Sequence, residues 1–325
     1  MIVGSTWTYD SIYLFLVTPM GILGILFNGI SFGIFTSKKF RNQALFKYLR
    51  VFTFNSLILS ITFSCSFLIS PRYFFDLSHS LIARVFKCYI VPSVVVSLIF
   101  YFNNALDVLI NIQIAAVYTN RLDRFKSINP YILCAVVFTI CFVVNSPNYL
   151  LISISTDEQV NEGLSSFANI LKFKGLCLRN PIYLTTYGTA ITMLGFVVKE
   201  LLTLCLEIVS SLASIHCMRM YYKRNRNLTG QTVNRQELIS KGEMKKTIMA
   251  LVLTMFSILL HCFEFSAVFI IFFVANIVPF EYTLLIYVFI SFKQLINFPL
   301  FYLFNRKFRK MLCYRRPTTE ISRRR

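Results

Sequence analysis

Charge is what this chain has least of. Only 14% of its 325 residues are Asp, Glu, Lys or Arg, while 56% are hydrophobic; a soluble domain carries about 25% charged residues. The shortfall leaves too little polar surface to cover a globule of this size, which excludes an ordinary water-soluble fold. Metal-ligand patterns are missing as well. There is no Cys-x-x-Cys, no His/Cys cluster, and the three histidines are scattered, so no metal is expected. No Ser/His/Asp set and no glycine-rich phosphate loop occurs, so neither an enzyme nor a cofactor is expected. The paired broken helices that transporters repeat in their two halves are not evident either.

Long apolar runs are what the chain does have. They lie at about 11–36, 51–70, 88–117, 131–153, 182–217, 247–275 and 283–304. Each reaches the ~20 residues that cross a ~30 Å hydrocarbon core as a helix. Helices satisfy their own backbone groups, which lipid requires. The composition therefore predicts an all-α membrane protein, a seven-transmembrane helix bundle.

The net charge of +19 invites a nucleic-acid reading until the charges are located. Segments 37–50, 118–130, 218–246 and 305–325 carry 25 of the 33 Lys and Arg, and the alternate set of connections carries 6. Positive residues mark the cytoplasmic side. The N-terminus is then extracellular and the C-terminus cytoplasmic, in a multi-pass protein of the plasma membrane. The basic charge is explained by topology and membrane lipids, without nucleic acid. Residues 1–10 hold no Lys or Arg and no cleavage site follows the first run, so that run is expected to stay as an anchor. The organisation predicted is an extracellular N-terminus (1–10), one transmembrane domain (11–304) and an amphipathic helix with a basic tail (305–325). Of nine cysteines, only Cys88 and Cys177 fall on the outer side, an even number in an oxidising compartment. The sequon Asn227-Leu228-Thr229 falls in a cytoplasmic loop and is expected to be unused.

The segment "NFPLFYLFNRKFRK" at 297–310 turns from oily to basic within three residues. It resembles the seventh-helix Asn-Pro-x-x-Tyr motif and amphipathic eighth helix of rhodopsin-like G-protein-coupled receptors. With Asn297 as the motif asparagine, Phe298 stands where proline is usual and Phe301 takes the tyrosine place; a one-residue slip gives that place to Tyr302. Pro299 leaves a carbonyl unpaired and predicts a kink. "GILFNGISFGIF" is similar to the first-helix motif through Asn28, and "KKTIMALVLTMF" to the start of helix six, with Phe256 as its central aromatic. "VVNSPNYL" resembles the outer end of helix four in FMRFamide-type neuropeptide receptors. The resemblance implies a receptor for an extracellular peptide or small-molecule ligand, a heterotrimeric G protein as partner, a Cys88–Cys177 disulfide, and palmitoylation at Cys313 or else a free thiol there.

Departures from the family pattern are many. Leu122-Asp123-Arg124-Phe125 has the look of its Asp-Arg-Tyr, but lies 36 residues beyond Cys88, roughly 54 Å of helix. Gln113, roughly 37 Å along, fits a tilted span, so Ile112-Gln113-Ile114 takes that position and the arginine is missing. Helix two has Asn55-Ser56 in place of an aspartate. Helix six has Leu259-Leu260-His261-Cys262 in place of Cys-Trp-x-Pro, and helix five carries Lys199 in place of its proline. A non-signalling receptor-like protein, and a seven-span transporter or ligand-gated channel, therefore stay open as alternatives.

Charges inside spans cost about 2.5–3.5 kcal/mol each on insertion scales. They are Asp107, Lys199, Glu200, Glu207, Glu264 and Lys293. They serve either as buried pairs that fix packing or as ligand and switch contacts, and Glu207 is alternatively hydrated near the inner end. Glu264, with Tyr287 and Ser291, is the candidate ligand-binding set. Asn28, Ser56, Asp107, Gln113, Lys293 and Asn297 are the candidate polar core. Lys293 stands one turn before Asn297, where related receptors hold a sodium ion with the helix-two aspartate. Either Asp107 or the oxygens of Asn28, Asn55 and Asn103 are expected around it, unless a one-residue slip lets Lys293 snorkel elsewhere.

Overall fold

The computed structural model describes residues 13–66, 98–119, 125, 127–150, 152–154, 177–179, 190, 194–195, 197–228, 248–249, 251–263, 265–266 and 280–313. Seven apolar helices form a bundle and an eighth, short and amphipathic, follows. They are α1 (Thr18–Thr36), α2 (Ala44–Ser66), α3 (Tyr101–Tyr118), α4 (Pro130–Leu150), α5 (Thr203–Leu228), α6 (Leu251–Phe263), α7 (Phe280–Phe304) and α8 (Arg306–Cys313). α1, α2, α3 and α5 lie in helices long and apolar enough to cross a membrane, and α4, α6 and α7 contain shorter apolar stretches. A two-stranded antiparallel pair, β1 (Ile152–Ile154) and β2 (Cys177–Arg179), lies beyond α4, with Ser153 opposite Leu178.

Burial is the reverse of a soluble protein's. Ile132, Val143 and Leu212 are each 60% exposed or more, whereas Asn28, Asn103 and Asp107 are wholly buried. An apolar outside around a polar inside is stable only where lipid is the surrounding solvent. The chain is a multi-pass membrane protein.

Two helices run well past their apolar runs. α2 starts at Ala44, seven residues before its run, because its charged first turns find partners at the membrane edge. Arg50 donates from Nη2 to the Phe35 carbonyl (2.7 Å) and from Nη1 to the Tyr131 hydroxyl. Lys47 lies 5.9 Å over the Tyr131 ring. α5 continues to Leu228, past Arg219 and Lys223, which an apolar run cannot include.

α1 begins with Pro19 in its first turn, where a missing N–H costs nothing. Small residues then set its contact with α2. A Cβ on Gly21 would lie 2.5 Å from Ser64 Oγ, and one on Gly24 2.5 Å from Ser60 Oγ. Ser60 and Ser64 turn their hydroxyls back onto their own helix, donating to the carbonyls of Ser56 and Ser60. Glycine against serine is how helices approach closely when no hydrophobic force drives them together.

Lys and Arg gather at one end of the bundle, where α1, α2, α7 and α8 meet over phenylalanines. Phe35 meets the rings of Phe40, Phe46, Phe301 and Phe308 at centroid distances of 5.7, 5.7, 4.9 and 5.6 Å. Pro299 sits inside α7 and the helix continues through it. Asn305 ends α7 and starts α8: its Oδ1 accepts from the backbone N–H of Lys307 and of Phe308, both at 3.1 Å. That is an N-cap, a residue earlier than the first helical position. Phe308 is then buried, while Arg306, Lys307, Arg309 and Lys310 face outward.

Candidate functional site

The centre of the bundle is an ion pair. Lys293 of α7 places Nζ 3.2 Å from Asp107 Oδ2 of α3 and donates to Asn104 Oδ1 at 2.7 Å. Ser257 of α6 donates to the same Oδ2. The ammonium also lies 5.5 Å over the Phe100 ring. Both charged groups are buried, and Asp107 Oδ1 has no partner among the described residues. Attraction between such charges roughly offsets their desolvation, so the pair adds little net stability, but either charge alone is very costly. One carboxylate oxygen thus joins α3, α6 and α7.

Polar layers continue on either side. One turn along α3, Asn111 Nδ2 donates to Ser210 Oγ (3.3 Å) and Ser211 Oγ (3.0 Å), and Thr254 donates to Asn111 Oδ1 (3.0 Å). Ser214 donates to the Asn111 carbonyl at 2.6 Å. These bonds fasten α3 to α5 and α6. Elsewhere, Asn103 donates to Ser56 Oγ at 3.5 Å. Asn28 donates to the Gln294 carbonyl at 3.1 Å and to Ser60 Oγ at 3.5 Å, tying α1 to α7 and α2.

A third cluster has no forerunner in the motif reading. His261 of α6 lies between two carboxylates from the α5 side: Nδ1 is 3.2 Å from Glu207 Oε2 and Nε2 is 3.3 Å from Glu200 Oε2. Glu200 falls in the π-helical turn Val197–Leu202 that leads into α5. Glu207 is wholly buried and is not a hydrated group at the inner edge. The signal was present as two glutamates seven residues apart on one face, but the histidine comes from 54 residues further along the chain.

The polar residues singled out in the sequence come together only in part. Asn28, Ser56, Asp107, Gln113, Lys293 and Asn297 are all buried. Asp107 and Lys293 touch each other. Asn28 and Asn103 bond elsewhere, and the amide beside Lys293 is Asn104. Gln113 lies within α3, which ends at Tyr118 with Thr119 extended, before Asp123 and Arg124. Phe301 is buried and Tyr302 is 37% exposed, so Phe301 occupies the inward aromatic place. Ser291 is buried with no partner for its hydroxyl among the described residues. Tyr287 and Cys313 are described only by backbone, in α7 and α8, and Cys177 only by backbone, in β2. Glu264 and Cys88 lie outside the described residues, so the ligand set and the disulfide are not placed.

A membrane-embedded helical bundle with charged side chains locked into its interior is the class these features define. The chain is similar to squid rhodopsin in its crystal structure, with a TM-score of 0.69 over 94% of this chain and 84% of that one, at 13% sequence identity. That likeness establishes the rhodopsin fold. No family model and no curated protein matches the sequence.

Proposed function

We propose that the chain is a cell-surface receptor that binds an extracellular ligand and signals through a heterotrimeric G protein. The observation that supports this reading is the buried Lys293–Asp107–Ser257 junction of α7, α3 and α6. Ionisable groups are rare in lipid-embedded helices and mark function more often than stability. A junction of this kind has two packings, made and broken, and a ligand that favours one shifts the population. In this reading the N-terminus is extracellular, in the plasma membrane, and Glu264, Tyr287 and Ser291 line the ligand cavity. A Cys88–Cys177 disulfide ties helix three to the loop above, and a palmitoyl group on Cys313 helps to hold α8 at the inner leaflet. Peptides of the FMRFamide type lead the ligand classes, followed by small chemosensory cues.

The test is a screen of amidated peptides and small metabolites on cells expressing the chain with a promiscuous G protein. A response that Glu264→Gln weakens at equal surface expression supports both receptor and pocket. Ligand-gated current in cells whose G proteins are blocked assigns a channel or transporter instead. Binding without any second-messenger response assigns a non-signalling receptor-like protein, the reading that Gln113 in the arginine's neighbourhood favours.

A further inference from the structure

The His261 cluster cannot satisfy itself with the protons that its groups ordinarily carry. A neutral imidazole has one N–H and one lone pair. Here each ring nitrogen faces a carboxylate oxygen, at 3.2 Å on one side and 3.3 Å on the other. With both glutamates ionised, one contact is a hydrogen bond and the other sets lone pair against lone pair. One further proton, on the ring or on a carboxylate, turns both contacts into hydrogen bonds. Its source is bulk water, and no other reactant is needed.

The surroundings ask for the same proton. From the α5 side, Lys199 stands within electrostatic reach of Glu200. From α3, Asp107 acts on Glu207, and Tyr101, hydrogen-bonded to Thr203, lies within reach of Glu200. From α7, Lys293 is already paired with Asp107. Among the described residues, counted as ionised, Lys199 and Lys293 against Glu200, Glu207 and Asp107 leave one negative charge in excess, in a region of low dielectric. Glu207 is sealed, with Oε1 unpartnered among the described residues, and the His261 ring is sealed too. Glu200, 21% exposed, is the member open to its surroundings.

We propose that His261, Glu200 and Glu207 form a proton-binding site that fastens α6 to α5 while it is loaded and loosens that contact when the proton leaves. The proton is then a ligand of the bundle in its own right. Acidification stabilises the state with α5 and α6 fastened, and alkalinisation releases it.

The experiment is thermal unfolding of the purified full chain in lipid nanodiscs, across about pH 5.5 to 8.5. Stability is present while the proton is held and is lost as pH rises, so Tm should fall by about 2–4 °C per pH unit through the release window. Glu207→Gln supplies an amide N–H to the ring, so neutral His261 is satisfied on both sides and the pH slope should vanish. His261→Gln should also flatten it. His79→Gln and His216→Gln, at the chain's other two histidines, should retain it. A second readout, infrared difference spectra on a pH jump, should lose its imidazole and carboxyl bands in His261→Gln; it serves if a variant unfolds. A flat wild-type profile, an unchanged slope and bands in Glu207→Gln and His261→Gln, or a slope lost only in the control variants, overturns the proposal. None of these readouts depends on the chain being a receptor.

Discussion

Lys293→Met is the perturbation with the largest calculable effect. Methionine keeps most of the apolar stem and removes the ammonium. Asp107, wholly buried, is left with the Ser257 hydroxyl as its polar contact. Breaking one side of a buried pair costs about 3–5 kcal/mol, because the other charge stays uncompensated. At roughly 2–4 °C per kcal/mol, Tm should fall by about 6–20 °C. Adding Asp107→Asn removes the orphaned charge and should recover most of that loss, since neutral replacements of buried pairs are often tolerated. The assay is thermal unfolding of the two single variants and the double, read as a double-mutant cycle. A Lys293→Met chain within about 2 °C of wild type, or a double variant that falls as far as the two singles combined, refutes the buried-pair account. In the receptor reading the pair holds the resting packing, so Lys293→Met should also change basal signalling at equal expression.

In the receptor reading the Lys293 ammonium stands in for a bound sodium ion, so replacing sodium by choline should leave Tm unchanged; clear stabilisation by sodium alone would show that the tethered cation does not replace the ion. Asn305→Ala removes the α8 cap, at about 1 kcal/mol, and should raise hydrogen exchange at Lys307 and Phe308 with little change in α1–α4. Gly21→Ala should destabilise by about 1–3 kcal/mol through overpacking against Ser64, whereas Gly33→Ala should be neutral, since nothing lies within 4 Å of its added Cβ; equal effects would mean that α1 does not meet α2 through Gly21. Mass spectrometry of unreduced protein should recover a Cys88–Cys177 cross-linked peptide, and free thiols at both positions would remove that pairing.

Span positions were legible because lipid imposes one rule on long segments, and an apolar run reports it directly. Run ends were less so. Arg50 and Lys47 look like loop residues in sequence, yet their heads reach Phe35 and Tyr131 from within α2. Lys293 stood out because a cation in an apolar span needs a reason, and Asp107 was among the few acids that can supply one. The choice of Asn104 over its neighbour Asn103 depends on helix rotation, which composition does not carry. His261 showed in the sequence only as a departure from the helix-six pattern. Its meaning lies in the carboxylates that helix packing brings to its two nitrogens, and no short-range pattern encodes that meeting.

The phenylalanine cluster around Phe35 has a mechanical consequence. Aromatic pairs are worth about 0.5–1.5 kcal/mol each beyond the area they bury. Sliding α7 past α1 must break the contacts of Phe301 and Phe308 with Phe35 together, and Phe308 also touches Phe298 and Phe301. Load applied to that end of α7 is therefore shared among several rings and passed into α1 and α8. The joint acts as a riveted corner.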